Sequence, residues 1–217
     1  MDARAVNRKI GQIGVVPVVA IESVDSAVPL ADALSECGLP LAEITFRTAA
    51  AAAVMEKLGK ERPGVMVGAG TILTVENLRR AVDAGAAFGV APGLNPKVVE
   101  EALKLGFPFA PGVMTPSDVE AGLALGLDVL KFFPAGAVGG AKFLKSLAAP
   151  YAHTGVRFIP TGGVSPENLA EYLGMSAVLA VGGTWIAAKD AIARGDWDGI
   201  RAAARAASEC VAGARRK

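Results

Sequence analysis

A lysine stands in the middle of the apolar run Val129-Leu130-Lys131-Phe132-Phe133-Pro134. Such a short, bulky run predicts a strand buried on both faces. Burial disfavours an ammonium, so a lysine there holds more of the neutral amine that attacks carbonyl groups. This is the chemistry of a Schiff base. The second reading is a lysine that snorkels to solvent or pairs with a carboxylate. This run leaves both readings open.

A second constellation lies in Glu43-Ile44-Thr45-Phe46-Arg47. Strand alternation puts Glu43, Thr45 and Arg47 on one face, with Ile44 and Phe46 on the other. An acid and a guanidinium on one side of a buried strand are a candidate constellation, with the acid as a proton shuttle for Lys131 if both lie inside one barrel, or they simply pair with each other. A third signal is two glycine pairs, Gly162-Gly163 before a helix start at Ser165 and Gly182-Gly183 before Thr184, where another helix is expected. Small residues admit a ligand close to the backbone, and helix N-termini offer N–H groups to phosphate.

The elements that must position these residues alternate along the chain. Strands are expected at 14–21, 41–46, 65–71, 88–92, 107–111, 128–133, 157–161 and 178–182, each followed by a helix. A short helix precedes the first strand. Helix starts are marked at Ser23, Thr74, Asn95-Pro96, Thr115-Pro116 and Ser165-Pro166, and an amphipathic helix runs from Trp197. Eight strand–helix units predict an α/β fold, a (β/α)8 TIM barrel forming a single domain over residues 1–217 with an extra N-terminal helix. The alternative is a doubly wound open sheet, but no GxGxxG follows the first strand. In a barrel, function gathers at the C-terminal strand ends, and the loops after strands seven and eight commonly hold phosphate.

Composition limits the remaining possibilities. The 217 residues are 52% hydrophobic and 20% charged, with a formal net charge of +1. No basic stripe suggests nucleic acid, no apolar run reaches a membrane span, and MDARAVNRKIGQIG has no signal-peptide core. A cytoplasmic protein is expected. One histidine and two cysteines offer little to a metal site. His153 reads as a surface residue in the loop before strand seven. Cys37 and Cys210 read as inert helical thiols, and Trp185 and Trp197 as packing residues.

Six segments in register, EITFRT (43–48), VGAGT (67–71), APG (91–93), LKFFPA (130–135), PTGGVSPEN (160–168) and VGGTW (181–185), make the chain resemble the 2-keto-3-deoxy-6-phosphogluconate (KDPG) and 4-hydroxy-2-oxoglutarate (KHG) aldolases. The resemblance implies a cytoplasmic class I lyase of the Entner–Doudoroff pathway, a homotrimer without metal or other cofactor, acting on a keto-acid phosphate. It assigns the Schiff base to Lys131 and acid/base work to Glu43. It gives the substrate carboxylate to Arg47 and Thr71, and the pyruvyl wall to Pro92 and Phe133. Thr161, Gly162, Gly163, Gly183 and Thr184 then bound the phosphate end. The chain departs from the family where members often read LRT for Phe46-Arg47-Thr48, serine for Thr184 and glutamate for Gly136.

The implied reaction is cleavage of KDPG to pyruvate and glyceraldehyde 3-phosphate, with 4-hydroxy-2-oxoglutarate or the galactonate-derived epimer as alternative substrates. From a different class, the glycine loops alone would suit a phosphate-binding isomerase or a non-catalytic sugar-phosphate binder.

Overall fold

A computed structural model describes residues 2–214, with the ends of the expected 1–217 domain, residue 1 and residues 215–217, outside the described residues. The apolar runs form nine short strands: β1 (Val15–Val19), β2 (Leu41–Thr45), β3 (Met66–Gly70), β4 (Phe88–Val90), β5 (Phe109–Ala110), β6 (Gly112–Val113), β7 (Val129–Phe132), β8 (Arg157–Pro160) and β9 (Val181–Gly183). All neighbours pair in parallel. One set runs β5-β4-β3-β2-β1-β9 and the other β6-β7-β8. Single bridges from Phe158 to Val178 and from Thr161 to Gly182 join β8 to the β9 segment. β5 and β6 are one barrel strand divided at Pro111, which has no N–H to give the ladder. The eight-stranded barrel therefore closes, as the alternation of elements predicts.

Pro111 also shifts an expected boundary. The fifth barrel strand occupies 109–113 rather than 107–111, with the Pro111 carbonyl accepting from the Lys131 N–H at 2.9 Å. The last strand is likewise later and shorter than 178–182, since Val178 makes only its one bridge.

Helices α1 (Ala3–Ile13), α2 (Ala27–Ser35), α3 (Ala51–Glu61), α4 (Val75–Asp83), α5 (Pro96–Lys104), α6 (Pro116–Ala124), α7 (Gly140–Ala148), α8 (Leu169–Leu173), α9 (Lys189–Arg194) and α10 (Trp197–Ala214) surround the barrel or close its ends. Their starts follow side-chain chemistry. The hydroxyls of Thr74 and Thr115 accept from the N–H groups of Asn77 and Asp118, and the Asn95 side chain accepts from Lys97. Ser23 caps a short 3-10 turn at Val24–Ser26 instead of an α-helix, and α2 follows it. His153 is exposed in a 3-10 turn, and Cys37 lies just past α2 rather than within it.

Two apolar clusters divide the core. The larger packs the outer strand faces against the helices. The smaller fills the lower barrel with Val16, Leu41, Met66, Phe88, Val129 and Ile159, and Val6 and Ile10 of α1 seal it from below. Each fully buried Val or Ile contributes about 1.5–3 kcal/mol relative to exposure. Gly14, at φ 80°, ends α1 and turns the chain into β1.

Candidate active site

Above that apolar plug the barrel interior turns polar. β2 and β7 stand opposite one another in the closed order, so inward residues near their C-terminal ends meet across the axis. Glu43 and Lys131 do so: the Lys131 Nζ donates to Glu43 Oε1 at 3.2 Å, and the two residues are only 3% and 6% exposed. Lys131 is held by register on both sides, opposite Gly112 of β6 and Ile159 of β8. Its Nζ lies 5.8 Å from the centre of the Phe133 ring. The ion-pair and nucleophile readings of the lysine thus describe the same contact. A carboxylate beside the amine can take its proton and leave a lone pair for a carbonyl.

Room inside the barrel comes from inward-facing glycines, of which sequence reasoning singled out only Gly182. A Cβ on Gly70 would lie 2.2 Å from Glu43 Oε1, and one on Gly68 would strike the Phe88 ring at 2.1 Å. At Gly112 a Cβ would sit 2.0 Å from the Pro92 carbonyl oxygen, and at Gly182 it would sit 2.3 Å from Thr161 Oγ1. The barrel mouth is wide enough for long polar side chains because its walls carry none at these points.

The strand alternation read for β2 holds. Phe46 faces outward beneath the Arg80 guanidinium, 5.5 Å from its ring centre. On the inner side Thr45 Oγ1 donates to the Val19 carbonyl at 2.8 Å and accepts from Arg47 Nε at 3.1 Å. That chain of hydrogen bonds fixes the exposed Arg47 at the rim, and among the described residues its terminal NH2 groups have no protein partner. Thr71 follows Gly70 with φ 60°, a left-handed conformation seldom adopted by a β-branched residue. Pro92 and Phe133 share the wall of a 290 Å³ depression.

The loop after β8 carries Gly162 and Gly163 at φ 83° and 84°, values open to glycine without steric cost. Thr161 is buried at its base. The helix expected at Ser165 is continuous only from Leu169; a turn precedes it, in which the Ser165 carbonyl accepts from the Asn168 and Leu169 N–H groups at 3.2 and 3.0 Å and the Ser165 N–H donates to Asn168 Oδ1 at 2.9 Å. Thr184 is exposed, and the helix expected there begins only at Lys189. Gly183 has a packing reason of its own, since the Trp185 ring occupies the space of its Cβ at 2.1 Å.

Sequence reasoning also passed over Lys189, which bonds Glu22 at 2.7 Å and bridges the segments after β1 and β9. The hydrogen bond to Glu22 is the main cause holding the Lys189 ammonium above its usual range. No isolated motif marks it; only the barrel brings the two segments together.

The chain is similar to proteins of known family. Residues 6–203 match the family model for KDPG and KHG aldolase. A 2-dehydro-3-deoxy-phosphogluconate aldolase of Treponema pallidum is 46% identical over 191 residues, covering 88% of this chain and 90% of that protein. The crystal structure of the 2-keto-3-deoxy-6-phosphogluconate aldolase of Zymomonas mobilis with 3-phosphoglycerate superposes with a TM-score of 0.84 at 40% identity, over 93% of this chain and 94% of the other. A KDPG aldolase of Legionella pneumophila, with pyruvate captured as a covalent carbinolamine intermediate, gives a TM-score of 0.88 at 35% identity over 93% and 97%. With residues 6–203 matching its family model and a relative 46% identical over 88% of its length, the chain belongs to the KDPG and KHG aldolase family.

Proposed function

We propose that this protein is a class I aldolase that cleaves 2-keto-3-deoxy-6-phosphogluconate to pyruvate and glyceraldehyde 3-phosphate. The observation that carries the reading is the buried Lys131–Glu43 pair, 3.2 Å apart across the barrel mouth. Lys131 Nζ attacks the C2 carbonyl and water leaves, giving an iminium. The C3–C4 bond then breaks. Its electron pair flows into the iminium to form an enamine, while the C4 hydroxyl proton passes to Glu43. Glu43 returns a proton to C3, and water releases pyruvate and regenerates the amine.

In this reading Arg47 and Thr71 hold the substrate carboxylate, which suits a guanidinium anchored at the rim through Nε with its terminal NH2 groups turned to no protein acceptor among the described residues. Pro92 and Phe133 pack the pyruvyl part, and Thr161, Gly162, Gly163, Gly183 and Thr184 bound the phosphate end. The iminium is the electron sink, so the cycle needs no metal or other cofactor. A homotrimer in the cytoplasm, acting in the Entner–Doudoroff pathway as a single domain over 1–217, belongs to the same reading and rests on family membership. No helix among the described residues is long and apolar enough to cross a membrane.

Incubation with pyruvate and borohydride should add one reduced pyruvyl group, mapped by mass spectrometry to Lys131 and lost in Lys131→Ala. An unmodified wild type, or labelling that survives the substitution, overturns the mechanism. Rates with KDPG, its galactonate epimer and 4-hydroxy-2-oxoglutarate then rank the substrates. A sugar-phosphate isomerase or binder would instead keep its activity or binding in Lys131→Ala, and would leave the buried pair without a use.

A further inference from the structure

The loop after β8 has its carbonyl groups claimed one after another. The Ala135 N–H donates to the Thr161 carbonyl at 2.9 Å, the Gly136 N–H to the Gly162 carbonyl at 2.7 Å, and Asn168 Nδ2 to the Gly163 carbonyl at 2.9 Å. In a trans peptide the C=O and the following N–H point in opposite directions. Because the Gly162 carbonyl turns toward the lysine-strand loop, the Gly163 N–H turns away from it, toward the side of the neighbouring β9. Among the described residues no protein acceptor takes that N–H. The approach of the two loops is as close as backbones permit. A Cβ on Gly136 would lie 3.0 Å from Gly163 Cα, and one on Gly163 would lie 2.8 Å from Gly136 Cα.

From this we infer that in this chain Gly136, where family members often carry glutamate, is a positioning residue for the phosphate end of the substrate: its N–H holds the Gly162 carbonyl, and the close packing that its missing side chain permits here sets the Gly162–Gly163 peptide so that the Gly163 N–H is aimed between the loops after β8 and β9. Gly136 acts through Gly163 and does not itself touch the substrate. The inference rests on the aldolase reading above. It adds a residue outside the lysine chemistry that governs discrimination between phosphorylated and unphosphorylated keto acids. An aimed N–H bonded to a charged oxygen is worth about 1.5–3 kcal/mol, and tilting it forfeits part of that.

The test is Gly136→Ala, whose methyl forces Gly163 back by a few tenths of an ångström. The ratio of kcat/KM for KDPG to that for 4-hydroxy-2-oxoglutarate should fall about tenfold, carried mainly by KM for the phosphorylated substrate. Asn168→Asp, nearly isosteric, keeps the Oδ1 that accepts from Ser165 and loses the donor to Gly163. It should shift the ratio the same way by about threefold. Pyruvate trapping on Lys131 is measured in each variant, so failure of the Schiff-base chemistry is seen separately from failure of this inference. An unchanged ratio in Gly136→Ala, or an equal loss with both substrates, overturns the positioning role.

Discussion

The two ends of this barrel are made of the same strands and do opposite things. At the N-terminal end the inward residues are large and apolar, and α1 caps them with Val6 and Ile10. At the C-terminal end the inward positions alternate between long polar side chains and glycine, as in Glu43 beside Gly70 and Thr161 beside Gly182. Concavity does not identify the working end. A cavity of 350 Å³, larger than the depression beside Phe133, opens at the floor among Ile10, Phe88, Phe109 and Val129. What separates the ends is chemistry: the floor cavity is walled mainly by apolar side chains, with Asp2, Asn7 and Asp128 also lining it, whereas the mouth sets a buried amine against a carboxylate. A buried ion pair adds little to stability compared with apolar packing. Its place at the mouth is therefore better explained by reactivity than by folding.

The sharpest break in this comparison is at Glu43. Glu43→Gln keeps the shape but removes the proton carrier, and kcat should fall roughly a thousandfold. Lys131 should remain the residue trapped by pyruvate and borohydride, only more slowly. A kcat within tenfold of wild type would show that Glu43 is merely the lysine's partner. The matching change at the floor is Ile10→Ala. It should cost about 2–5 kcal/mol in urea unfolding while leaving kcat/KM of the folded enzyme within twofold. Activity lost at that position in fully folded protein would mean the two ends are not independent.

How much of this was readable from residues alone depended on whether the signal was local. The lysine strand, the Glu43–Arg47 alternation and the capped starts at Thr74, Asn95 and Thr115 are written within a few residues, and each stands where it was expected. Boundaries failed where the chain breaks its own rule. Pro111 splits a strand, and the helices expected at Ser165 and Thr184 run only from Leu169 and Lys189, each after a turn. Clearance was not readable at all. Gly70 looks like any strand glycine until Glu43 is placed against it from the neighbouring strand. Gly136 likewise acquires meaning only when two loops far apart in sequence are brought to van der Waals contact.

A smaller effect tests whether the mouth gives up stability for its geometry. Thr71 holds φ 60° with a β-branched side chain, a conformation that costs of order 1–3 kcal/mol. Thr71→Gly removes that strain but loosens the unfolded chain, so a net gain of about 1 kcal/mol is expected, or roughly 2–4 °C in Tm. If Thr71 holds the substrate carboxylate, KM for KDPG should rise by about tenfold in the same variant. A more stable protein with unaltered KM would leave the strain without a functional use and remove Thr71 from the site.

The smallest expected effect separates two carboxylates at the mouth by their partners. Glu43 faces an amine, whereas Asp118 closes the capping box of α6: its Oδ2 accepts from the Met114 and Thr115 N–H groups at 3.0 and 2.8 Å. Burial works to raise the Asp118 carboxyl, but these N–H donors and the link to Thr115 outweigh it and hold the group below its ordinary value. A depressed folded value means the stabilisation is complete above the unfolded value of about 3.9 and disappears as pH falls through the folded one. Asp118→Asn should therefore lose about 1 kcal/mol in urea unfolding at pH 7, and the gap should close as the pH is taken well below 4. A gap of the same size at both pH values would mean that the oxygen's position, not its charge, secures the helix. Asp118 would then be a neutral acceptor in effect, and Glu43 the mouth's one carboxylate, of these two, whose charge matters.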